Sequence, residues 1–166
     1  MNSVCLDHLA GEKKWAFKTS ERVQSNPAVH PTADIVYVGS HDTHVYAVNI
    51  NNGEQVWNYS TGAAVFGAPD VSPDGQWVFV GSNNKKFYCF NAWDGSMKWN
   101  FTTEGFITAK PAASPKYDLV YFGGEDGYIY AINISTGKSP WNLTTGGMIQ
   151  AGLAVSSDGE RVFIGV

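Results

Sequence analysis

Short apolar runs alternate with turn residues along the whole chain, and none has the three-to-four spacing of an amphipathic helix ten or more residues long. Between residues 26 and 62 the pattern predicts four strands, over 26–30, 35–39, 44–50 and 54–60. Pro31, the polar cluster 40–42 and the Asn-Asn-Gly of 51–53 supply the breaks. The second of these strands reads Ile-Val-Tyr-Val without interruption. A strand with one wet face alternates apolar and polar residues, so an unbroken apolar run predicts burial on both faces.

The same pattern returns every 42 residues: Gly11/Trp15, Gly53/Trp57, Gly95/Trp99 and Gly137/Trp141 are four copies of Gly-x-x-x-Trp. Gly39, Gly81, Gly123 and Gly165 close the second strand of each repeat, Tyr46, Tyr88 and Tyr130 sit in the third, and Pro27, Pro69 and Pro111 keep the same step, with Leu153 the one departure. Four antiparallel strands in 42 residues are one blade of a β-propeller, so the predicted class is all-β. Counted from the glycines, residues 1–10 end one blade, 11–52, 53–94 and 95–136 are full repeats, and 137–166 are a partial one. Two arrangements follow. The terminal pieces either join into a composite blade and close a ring of four, or the chain is an arc of a larger ring. Four blades would splay strongly, which favours an arc forming part or half of a ring of seven or eight. An arc bares an apolar blade face at each end, so a second copy completing the ring is an expected partner.

At the turn between the third and fourth strands the repeat becomes specific: Ala47-Val-Asn49-Ile-Asn-Asn-Gly53-Glu-Gln-Val-Trp57, and again Ala131-Ile-Asn133-Ile-Ser-Thr-Gly137-Lys-Ser-Pro-Trp141. This resembles the tryptophan-docking motif of the PQQ-like β-propeller repeat family, found in quinoprotein alcohol dehydrogenases and in the propeller lipoprotein of the bacterial outer-membrane assembly machinery. The resemblance covers the whole chain. It implies that Trp15, Trp57, Trp99 and Trp141 dock on the next blade near Gly11, Gly53, Gly95 and Gly137, and that Asp7, Asn49, Asn91 and Asn133 hold the turn. Cys5 and Cys89 fall on the small-residue position of Ala47 and Ala131, where a thiol packs as a small hydrophobe. The enzymes of the family bring PQQ, calcium and an adjacent cysteine pair. No adjacent cysteines occur in this chain, and PQQ and calcium are implied by the resemblance alone. The implied role is a non-catalytic scaffold for a protein or peptide partner, without a cofactor. The alternative is a piece of a larger quinoprotein-type dehydrogenase or multidomain enzyme whose catalytic residues lie elsewhere.

Composition narrows the chemistry further. Charged residues are only 16% of the 166 and the net charge is −4, so the basic footprint of a nucleic-acid binder is missing. No apolar stretch approaches the roughly 20 residues of a membrane-spanning helix, and residues 1–20 carry no recognisable export signal, so no compartment can be assigned from sequence. His41 and His44 are the one local histidine pair. They offer a weak metal site, because no third ligand stands at a matching spacing, and a solvated turn is the preferred reading. The pairs His41-Asp42, Asn83-Asn84 and Glu125-Asp126 recur with the repeat and read as turn formers. Sequons at Asn58, Asn100 and Asn142 keep the 42-residue step and follow from the strand pattern, while Asn133 carries a fourth. Phe66 and Phe106 precede first strands, where they could line a channel mouth, although packing between blades is the reading favoured from sequence.

Overall fold

The structure is a computed structural model that describes residues 11–165 together with the backbone of 2–6. Its elements are strands alone: β1 (Asn2–Leu6), β2 (Lys13–Lys18), β3 (Ala28–Val29), β4 (Ile35–Gly39), β5 (His44–Asn49), β6 (Gln55–Ser60), β7 (Asp70–Val71), β8 (Trp77–Gly81), β9 (Lys86–Asn91), β10 (Met97–Thr102), β11 (Ala112–Ala113), β12 (Leu119–Gly123), β13 (Tyr128–Asn133), β14 (Trp141–Thr144), β15 (Ala154–Val155) and β16 (Val162–Phe163). Three four-stranded antiparallel sheets, β3 to β6, β7 to β10 and β11 to β14, lie between the two-stranded sheets β1–β2 and β15–β16. The molecule is therefore a partial propeller of three whole blades and two half-blades. The two half-blades share no ladder, so the described strands form an arc and not a closed ring of four.

The second, third and fourth strands fall within a residue of the sequence pattern, but the first is shorter. Instead of 26–30, only Ala28 and Val29 join the ladder, paired with Tyr37 and Val36. Pro27 has no N–H to donate, and His30 turns its backbone N–H to the carbonyl of Ile35 to begin the next turn. The strand β14 likewise starts late, at Trp141, directly after Pro140.

The core lies between blades. Along β8, Val78 and Val80 face the preceding blade and pack with Tyr37, Val45 and Trp57, while Phe79 faces the following one and packs with Val120, Phe122 and Ile132. In β12 the alternation repeats, with Val120 and Phe122 directed back and Tyr121 forward toward Ile149 and Leu153. Both faces of the second strand are thus largely dry in the complete blades, which accounts for the unbroken apolar runs. Close approach is enforced at the strand ends. A Cβ on Gly81 would stand 2.2 Å from Ile107 Cγ2, and one on Gly123 would stand 2.1 Å from Ile149 Cγ2.

Blades are also joined at the outer turns. The Trp57 indole donates to the carbonyl of Ala92 at 2.9 Å, Trp99 donates to Ile134 at 2.7 Å, and Trp15 donates to Ile50. Each ring covers the glycine of the next blade: a Cβ on Gly95 would lie 2.6 Å from Trp57, and one on Gly137 would lie 2.7 Å from Trp99. These glycines have positive φ, 74° at Gly53, 72° at Gly95 and 69° at Gly137, so only glycine meets both the turn and the ring. Asn49, Asn91 and Asn133 shape the same turns by accepting backbone N–H bonds on Oδ1, from Asn51, Trp93 and Thr136 respectively. Asp7 lies outside the described residues. Trp141 has no outer turn of a following blade against it among the described residues and is 44% exposed.

Candidate functional site

The first strands of successive blades, β3, β7, β11 and β15, contact one another and so mark the hub of the arc. At one end of the hub, the crossover into each blade meets the turn between the second and third strands. His41, Asn83 and Glu125 donate their backbone N–H to the carbonyls of Arg22, Ala64 and Phe106, at 2.9, 3.0 and 2.8 Å. Ser40, Ser82 and Gly124 accept from Val65, Ile107 and Ile149 of the following crossover, at 3.0, 3.4 and 3.2 Å. Every turn is consequently pinned to its own blade and to the next, which gives a rigid rim.

Two repeat positions line this mouth. One carries Gln24, Phe66, Thr108 and Gln150; the other carries His41, Asn83 and Glu125, each series stepping by 42 residues. The second position bridges the first across the blade boundary. Glu125 Oε1 accepts from Thr108 Oγ1 of its own blade at 3.1 Å and from Gln150 Nε2 of the next at 2.9 Å. His41 Nε2 meets Gln24 Oε1 at 3.0 Å, and its ring stands edge-on to Phe66 with centroids 4.3 Å apart. Asn83 breaks the pattern, because its own blade offers Phe66 and the Thr108 hydroxyl of the next is given to Glu125. Its Oδ1 is buried and has no hydrogen-bond partner. That loss costs on the order of 1–3 kcal/mol in a folded chain.

Phe66, Asn83, Phe106 and Glu125, with the flanking Gln24, Thr108 and Gln150, line an open concavity of about 570 Å³. Phe106 is 44% exposed and Met148, at the same repeat position one blade on, is 66% exposed. The favoured sequence reading as ordinary packing is thus corrected for Phe106, while the half-buried Phe66 packs between blades against His41 and also borders the mouth. Their position just before the first strand was the one available signal. A second concavity, of about 390 Å³, opens on the opposite end among residues including Asp74, Lys116 and Asp118 of the turns and Lys98 of β10. There Lys98 Nζ sits 3.7 Å from the Trp77 ring centre.

The recurring polar pairs divide their work. The first residue of each pair faces the hub, and the second builds the turn: Asp42 and Asp126 accept from the hydroxyls of Tyr46 and Tyr130 at 3.0 and 2.9 Å, and Asn84 bonds that of Tyr88 at 2.6 Å. Burial raises the Asp42 carboxyl, but hydrogen bonds from Ser40, Tyr46 and the backbone of His44 and Ser20 outweigh it and hold it below its ordinary value. Burial, aided by Asp42, pushes the Tyr46 hydroxyl up to about 12. Burial also pushes the Cys89 thiol up to about 12, in keeping with a packing position. Nothing is described of the Cys5 side chain.

His41 and His44 are not brought to one point. His44 Nδ1 lies 2.8 Å from the carbonyl oxygen of its neighbour Asp42 and the ring stacks on Tyr46, whereas His41 turns to Gln24 and Phe66. Among the described residues no group of three or more His, Cys, Asp or Glu side chains could hold a metal ion. Nor does the mouth fit PQQ: its one carboxylate would repel an anionic quinone, and no lysine or arginine lines the concavity to receive it. His30 is structural, with Nδ1 accepting from the backbone N–H of Thr32 and Ala33 and Nε2 bonded to the Gly75 carbonyl. The sequon residues Asn58, Asn100 and Asn142 lie exposed on fourth strands.

Repeated four-stranded blades joined by tryptophan-to-glycine contacts define a PQQ-like β-propeller repeat protein. More narrowly, the chain belongs to the family described as outer membrane protein assembly factor BamB, which matches residues 1–165. Its fold is similar to the crystal structure of BamB from Moraxella catarrhalis, with a TM-score of 0.75 at 20% identity over 89% of this chain. The match spans 45% of that BamB chain. No curated protein matches the sequence. Among the described residues no helix is long and apolar enough to cross a membrane.

Proposed function

We propose that the chain is a non-catalytic scaffold that holds a protein partner at the hub mouth. The observation that carries this reading is the mouth itself, where Phe106 and Met148 are exposed on a rim whose backbone is pinned twice per blade. Exposed apolar side chains grouped on a rigid, polar-edged surface are the usual form of a protein contact. The family's description as an assembly factor points the same way. A photo-crosslinking residue at position 106 should capture a discrete protein in the native host, while the same residue at Asn58 on the outer strand should not. Equal capture at both positions, or capture at 58 alone, would move the interface away from the hub.

A further inference from the structure

We infer that the hub mouth is a receptor for the guanidinium group of an arginine side chain presented by the partner. This rests on the scaffold reading above and specifies its chemistry.

Three features converge. First, the mouth holds hydrogen-bond acceptors with unused capacity. The buried Oδ1 of Asn83 is unpartnered. Both bonds to Glu125 fall on Oε1, so neither occupies Oε2. Gln150 donates its Nε2 to Glu125 and retains its carbonyl oxygen. Second, the one charge among the lining residues is negative, that of Glu125, and no lysine or arginine lines the concavity. An anionic ligand is therefore mismatched, and a cation with several N–H donors is matched. Third, Phe66 and Phe106 bring aromatic rings to the same concavity. A guanidinium is flat, weakly hydrated and stacks on such rings, while its five donors reach acceptors on more than one side. A lysine ammonium offers three donors at one point and is harder to dehydrate.

The orphaned acceptor has a local cause. On the repeat pattern, position 83 would bond position 66 of its own blade and position 108 of the next, as Glu125 bonds Thr108 and Gln150. Phe66 stands where the polar partner would be, so the same substitution that opens the acceptor also supplies the ring beside it.

The test is a titration of the isotope-labelled 166-residue chain with N-acetyl-arginine-N-methylamide, followed residue by residue in amide correlation spectra. The expected result is saturable shifts at Asn83, Glu125 and the crossover residues 64–66 and 106–108, much smaller ones with the lysine analogue, and none with the leucine analogue. Glu125→Gln should weaken binding about tenfold, the loss of one charge-assisted hydrogen bond, and Asn83→Asp should strengthen it. Both variants should keep the dispersed spectrum of the folded chain; Phe106→Leu, which leaves the polar pairs untouched, supplies an independent variant. Shifts scattered over the surface carboxylates, or unchanged in Glu125→Gln, would overturn the inference. Crosslinking at position 106 that the arginine analogue fails to compete would also overturn it while leaving the scaffold standing. Arginine binding at the mouth without any protein captured there would support the guanidinium site and count against the scaffold.

Discussion

At the scale of single residues, the tryptophan contacts separate two costs that usually arrive together. Gly95 and Gly11 have nearly the same backbone, with φ of 72° and 68°, but a Cβ on Gly95 meets the Trp57 ring and one on Gly11 meets none of the described residues within 4 Å. Gly11→Ala should therefore lose about 1 kcal/mol, the left-handed strain alone. Gly95→Ala should lose about 3 kcal/mol, because the indole must shift and weaken its bond to Ala92. Urea denaturation of the two variants checks the difference, and equal losses would remove the ring from the account. The Asp42–Tyr46 pair makes a separate prediction in pH. The Asp42 carboxyl is held below its ordinary 3.8, so its contribution to stability is present above that value and lost as pH falls through the folded one. The Tyr46 hydroxyl is raised to about 12, so its contribution is full below pH 10 and lost as pH rises through about 12. Asp42→Asn should flatten the acid limb of the urea midpoint, and Tyr46→Phe the alkaline limb.

At the scale of the strand and turn, the second strand of each blade ends in a glycine because the next crossover passes over it. Gly81→Ala places a methyl carbon 2.2 Å from the Ile107 side chain and 2.7 Å from its carbonyl oxygen. The expected loss is about 3 kcal/mol, within the range of overpacked cores. Ile107→Val in the same chain should recover part of it, as a double-mutant cycle in thermal or urea melts would show, whereas strict additivity would mean that the two blades relax independently. The turns that follow these strands were legible in part. Asp42, Asn84 and Asp126 announce themselves as turn formers by type and spacing. Their neighbours His41, Asn83 and Glu125 share the step but differ in chemistry. Nothing in a run of three unlike polar residues says that they face a common hub. That becomes visible only when adjacent crossovers bring Gln24, Phe66, Thr108 and Gln150 beside them.

At the scale of the whole molecule, β15 and β16 cover the inner strands of the last complete blade, and its outer strand β14 has no neighbour on that face among the described residues. Trp141 and Leu143 are 44% and 60% exposed there, whereas Trp57, on the corresponding strand of a covered blade, is 6% exposed. For the 166-residue chain by itself we propose a second copy as the cover: one copy overlays 45% of a BamB chain, so two would have nearly the extent of that chain. Light scattering on the 166-residue chain should therefore give about twice 18.0 kDa. Trp141→Ser with Leu143→Ser should return it toward a single unit. A folded species of 18.0 kDa before substitution would show that the bare face is tolerated in water.

What the sequence determined by itself was everything that repeats: strand count, blade length, the burial of second strands on both faces, and the glycines and tryptophans of the outer turns. A period of 42 residues samples the same environment several times, so each requirement of local geometry is written more than once. First-strand length was misjudged because Pro27 and His30, which read as strand residues, do not extend the ladder: proline has no N–H to donate, and His30 gives its own to the turn. Only the tertiary structure decided which side of the fold carries chemistry. The hub mouth is made of positions that keep the 42-residue step but change residue type from blade to blade, so no repeated residue marks them, and the partnerless acceptor on Asn83 arises from contacts that cross a blade boundary. Such groups are distant along the chain and adjacent only once neighbouring blades have packed.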